Sequence, residues 1–132
     1  MINLTPRQTA IAAIYGAVVW LGAALFVRQI GPLGIFDGIY GLLTYVLVIP
    51  GTIPFILIAR WIAKLEDDQI ATGYTVATAV ALLLDGVGHS WFRSLYGTDP
   101  SLIVKGAASI FWGAGVGLIL AMIMNKPPVL RG

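Results

Sequence analysis

Asp85, His89 and Arg93 are the residues of this chain whose types and spacing best suit chemistry. They stand at i, i+4 and i+8, which stacks three side chains along one side of a helix. Leu82-Leu83-Leu84 precedes Asp85 and Gly86-Val87-Gly88 follows it, so the carboxyl group lies inside an apolar stretch. A charge at the centre of a membrane helix costs about 2.5–3.5 kcal/mol on insertion scales. Asp85 must therefore face a bundle interior, find a partner or hold a proton. Two readings stay open. In one, the three residues form a proton path or the wall of a polar ligand pocket, with Asp85 and His89 titrating as a coupled pair if they touch. In the other, an Asp85–His89 hydrogen bond fixes helix packing and Arg93 snorkels to lipid headgroups.

Other polar groups near this line are few. Tyr40, Thr44, Tyr45 and Thr52 give the second apolar stretch a polar fringe. A pocket between the second and third helices, lined by Tyr45, Thr52, Asp85 and His89, is the corresponding expectation. Trp20 and Trp112 lie deep in their stretches, and their indole N–H groups need acceptors, for which Asp85 is one candidate. Trp61 and Trp91 lie near span boundaries and read as interfacial anchors.

The remaining composition narrows the chemistry further. There is no cysteine, which removes disulfides, thiolate metal sites and thiol nucleophiles. The single histidine cannot build a multi-histidine metal site. No catalytic serine arrangement and no Asp-rich metal motif is present, so no catalytic residues, no metal, no cofactor and no enzymatic activity are expected. The net charge of +2 is too small to point to nucleic acid. The run Glu66-Asp67-Asp68 falls in an aqueous loop and is expected only to be solvated.

The elements that must position these residues are all helices. Hydrophobic residues make up 58% of the 132-residue chain and charged residues 11%, against about 25% charge in soluble domains. Spanning a bilayer takes roughly 20 apolar residues, and four stretches meet that length: 9–29, 38–62, 70–92 and 102–124. The chain is thus read as one all-α domain over residues 1–132, a polytopic four-transmembrane-helix bundle in the lipid bilayer. The first apolar run is longer than a signal-peptide core and reads as a retained span. Pro50 and Pro54 remove backbone donors from the second helix and are expected to kink it or briefly break it. Gly31-Pro32, the polar segment 64–69, the turn 96–100 and Pro127-Pro128 bound the helices. Four spans put both termini on one side. That side carries Arg7, Arg60, Lys64, Lys126 and Arg131, and the other carries Arg28, Arg93 and Lys105. The bias favours termini in the cytoplasm.

Small residues recur at helical spacing. Ser109, Gly113, Gly117 and Ala121 form one ladder, and Gly73, Ala77 and Ala81 form another that leads on to Asp85 and His89. Small faces let membrane helices approach closely. They serve packing within one bundle or a seam between subunits, and spacing does not decide between the two.

Trp20-Leu21-Gly22 through Phe26-Val27-Arg28, Leu84-Asp85-Gly86, Trp91-Phe92, Tyr96 and the Gly-rich last helix around Trp112-Gly113 together resemble a family of small bacterial four-helix integral membrane proteins with no assigned activity. The resemblance implies the topology, a bacterial cytoplasmic membrane and a role for Asp85, and it supplies no reaction; His89 does not match its pattern. The leading functional expectation is a non-enzymatic protein that assembles through its Gly/Ala faces, as a homo-oligomer or as an accessory subunit among other membrane subunits. One alternative is a small proton-coupled transporter using Asp85 and His89. Another is a protein that binds pigment, quinone or lipid through His89.

Overall fold

The computed structural model describes residues 3–127; Pro128 and Arg131 lie outside them. Four helices make up the architecture: α1 (Pro6–Ile30), α2 (Gly38–Ala63), α3 (Ile70–Trp91) and α4 (Pro100–Met124). Each is long and apolar enough to cross a membrane. Large apolar side chains cover the outside of the bundle, including Ile39, Leu42, Val46 and Leu47 of α2 and Phe111, Ile119 and Ile123 of α4. Such an exterior suits a hydrocarbon solvent, because in water it would be one continuous exposed apolar surface.

Local chemistry sets the helix ends. Thr5 Oγ1 accepts from Gln8 N at 3.1 Å, and Gln8 Oε1 accepts from Thr5 N at 3.0 Å. This reciprocal capping box, with Pro6 at the first helical position, starts α1 at Pro6 rather than at residue 9. Asp99 caps α4 by accepting from Ser101 N at 2.9 Å, so that helix starts at Pro100 rather than 102. Lys64 ends α2 in the left-handed conformation, at φ 53°, while Leu65 N donates back to Arg60 O at 2.9 Å. The anticipated break at Pro50 and Pro54 is absent: α2 continues through both prolines.

Packing follows the small residues. α1 lies chiefly on α3, α2 on α4, and α3 also on α4. At mid-height the backbones of α1 and α3 come so close that a side chain at Gly16 would run into Ala77 O. Gly117 receives the Tyr74 ring and the methyl group of Thr52. Larger side chains fill the two ends. Ile56, Ile70 and Ala121 form one buried cluster, and Ala24, Val27 and Tyr96 form the other.

Candidate functional site

Asp85 is buried on α3, at 6% exposure. Its carboxylate does not take a hydrogen bond from His89. Oδ1 accepts instead from Tyr96 Oη at 2.9 Å, and Tyr96 Oη accepts from Trp20 Nε1 at 3.0 Å. A line of donors thus runs from α1 through the α3–α4 connection to α3. Tyr96 is only 1% exposed. Burial, reinforced by the adjacent Asp85, pushes its phenol above the ordinary tyrosine range, so the hydroxyl keeps the proton it donates.

The backbone after α3 makes this possible. α3 stops at Trp91, one residue before the expected end, because a single 3₁₀ turn over Arg93–Leu95 follows it. Tyr96 N donates to Arg93 O at 2.9 Å and closes that turn. The reversal lays the Tyr96 ring over Gly88, where an added Cβ would sit 2.5 Å from Oη. Glycine at 88 is therefore a steric requirement of the network. The same reversal corrects the expected three-residue line: Arg93 has left the helix, and only Asp85 and His89 share an α3 face.

His89 contributes through its ring and one nitrogen. The ring stacks on Tyr96 with centroids 3.7 Å apart. Nδ1 lies 2.8 Å from Asp85 O. A carbonyl only accepts, so Nδ1 carries the proton in this contact. Nε2 is enclosed and has no hydrogen-bond partner among the described residues.

Tyr45 and Thr52 are engaged elsewhere. Tyr45 stacks on Trp112 at 5.3 Å, and Trp112 Nε1 donates to Tyr45 O at 2.9 Å. Thr52 Oγ1 donates to Val48 O at 2.6 Å. Both residues belong to the α2–α4 contact, whereas Asp85 turns toward α1 and the α3–α4 connection. The expected pocket between α2 and α3 does not form from these four residues. A cleft of about 730 Å³ opens instead between the end of α3 and the start of α4, with His89, Arg93, Ser94 and Thr98 at one end and Val104, Ala108 and Phe111 toward the other.

Most ladder residues pack inside the chain. Gly73 receives the side chain of Leu65, Ala77 meets Gly16, Gly113 faces Val48 at 3.7 Å, and Ala121 joins Ile56 and Ile70. Ala81 is half-buried. Ser109 Oγ donates to Gly106 O of its own helix at 2.7 Å. Among the described residues no three His, Cys, Asp or Glu side chains converge as a metal site would require.

Sequence reasoning missed Tyr96 as the partner of Asp85. The available signal was a tyrosine beside a turn glycine, eleven positions after an intramembrane acid. Trp20, for whose indole N–H Asp85 is a candidate acceptor, donates to Tyr96 Oη beside that carboxylate. Comparison with protein-family models, curated proteins and solved structures finds no match.

Proposed function

We infer that this chain is a non-enzymatic integral membrane protein whose Asp85 network is a structural latch, and that it works by assembling with copies of itself or with other membrane subunits. The observation that carries this reading is the engagement of Asp85 by Tyr96 and Trp20, two side chains from separate segments. A carboxylate that shuttles protons needs access to water on each side in turn. This one is buried beneath a nearly inaccessible tyrosine. His89 as an axial ligand to a pigment has less support, because its free nitrogen is enclosed.

Gly73, Ala77, Gly117 and Ala121 of the two small-residue ladders pack inside one chain. Partners would therefore meet the outer apolar faces, of which α2 offers the most continuous. In this reading Pro50 and Pro54 bend α2 without breaking it and shape that face. In this reading the membrane is the bacterial cytoplasmic one, and the lysine and arginine bias supports an orientation with both termini in the cytoplasm.

Native mass spectrometry of the protein gently extracted from its own membrane tests assembly: copies or foreign subunits are expected, and a bare monomer at every detergent level would overturn it. In liposomes, no pH-driven flux that depends on Asp85 is expected. A flux present in the wild type and abolished by Asp85→Asn, with the fold intact, would replace the latch with a transport site.

A further inference from the structure

The cleft beside α4 combines a polar mouth with an apolar floor. Arg93, Ser94 and Thr98 stand at the mouth, on the connection between α3 and α4. His89 borders it on α3, and Ile103, Val104, Ala108 and Phe111 line it along the first half of α4. At 1.5 Å rise per residue, Phe111 lies about 16 Å along the helix from Pro100. The cleft therefore runs from headgroup depth well into the hydrocarbon. Its volume of about 730 Å³ is within the range of small-molecule sites, roughly 300–1,000 Å³. Small side chains make the groove: Ala107 and Ala108 occupy positions where larger residues would fill it.

Charge selects the occupant. Arg93 makes no ion pair among the described residues, whereas Lys105 on the same end is paired with Asp37 at 2.8 Å. The nearest acid in sequence, Asp99, is turned to its own helix cap. A guanidinium matches a phosphate in shape as well as in charge.

We propose that this cleft is a binding site for an anionic phospholipid, with the headgroup phosphate on Arg93, Ser94 and Thr98 and one acyl chain along the Val104–Ala108–Phe111 wall. The site rests on the reading of the chain as membrane-embedded. It is independent of the assembly reading, since it lies on a single chain.

The test reconstitutes the full chain into vesicles of equal parts phosphatidylcholine and phosphatidylglycerol, then releases it for native mass spectrometry with its retained lipids. One phosphatidylglycerol should be held in preference to phosphatidylcholine by about fivefold, the contribution of one basic side chain near a lipid surface. Arg93→Gln should reduce the ratio to parity. Arg28→Gln, at the same end but outside the cleft, should leave it unchanged. Ala108→Phe fills the groove from an exposed position, and should lower retention of the bound lipid without lowering thermal stability. Equal retention of both lipids by the wild type, or an equal loss in Arg28→Gln, would each overturn the site. Binding of soluble glycerol phosphate as tightly as the lipid would do so too. Failure of the chain to enter vesicles at all would instead refute the membrane reading.

Discussion

The two ends of the bundle are closed in opposite ways. At the end that holds both described termini, the 64–69 loop is tied down by many exposed polar contacts. Asn3 Nδ2 donates to Asp68 O at 2.8 Å, and Gln8 Nε2 donates to Lys64 O at 3.0 Å. Gln69 Nε2 donates to Asn3 O at 2.7 Å. Asn125 Oδ1 accepts from Ala71 N at 3.0 Å, so the end of α4 satisfies a donor at the start of α3. Asp67 pairs with Arg60 and, at 3.7 Å, with Lys126. Of the acidic run expected only to be solvated, Asp67 is therefore engaged through its carboxylate in a network that ties distant segments together. At the opposite end, besides the exposed Lys105–Asp37 pair, a buried tyrosine joins Trp20, Asp85 and the His89 ring. The bonds at the first end are exposed or only part-buried, so water competes with them and each is individually weak. The latch is buried inside the protein, with Asp85 and Tyr96 almost inaccessible, where an unmade hydrogen bond has no substitute.

That contrast makes the variants unequal. The largest effect is expected for Tyr96→Ala, which removes the ring from the Ala24–Val27 cluster and leaves Asp85 and Trp20 without their shared partner. A loss of about 3 kcal/mol or more follows from truncating a buried aromatic side chain, readable as a drop in the unfolding midpoint in detergent micelles. A midpoint within error of the wild type would place the stability of this end elsewhere. At the other end, Asp67→Asn removes two ion pairs whose partners are roughly half-exposed or more. Its cost should stay under about 1 kcal/mol and shrink further as salt is raised. A loss rivalling that of Tyr96→Ala would erase the distinction between the two ends.

Much of this was legible in the sequence, for physical reasons. Four apolar runs of spanning length fix four helices, because a backbone in hydrocarbon must bond to itself. Asp85 was identifiable as important because a carboxyl group is costly among leucines. The small ladders were recognisable as packing faces. Which helix each would meet was not, since Gly16 against Ala77 and Gly117 against Tyr74 are matches between distant segments. The start of α1 was written in Thr5 and Gln8, although the apolar run alone suggests a later beginning. Tyr96 escaped because its role arises from a chain reversal. Helical spacing pairs Asp85 with His89 and is silent about a residue that returns over Gly88 from outside the helix. The lattice around Asp67 escaped for the same reason: Gln8 and Gln69 meet across 61 positions.

The central claim is that Asp85 and Tyr96 act as one structural unit. A double-mutant cycle of Asp85→Ala and Tyr96→Phe, followed by reversible unfolding in mixed micelles, measures that directly. Directly bonded pairs are non-additive, and hydrogen bonds within membrane bundles couple by about 0.6 kcal/mol on average and up to about 1.7. The latch predicts a coupling of about 1 kcal/mol, with the double variant less destabilised than the sum of its parts. Simple additivity would contradict it and return Asp85 to the search for a partner.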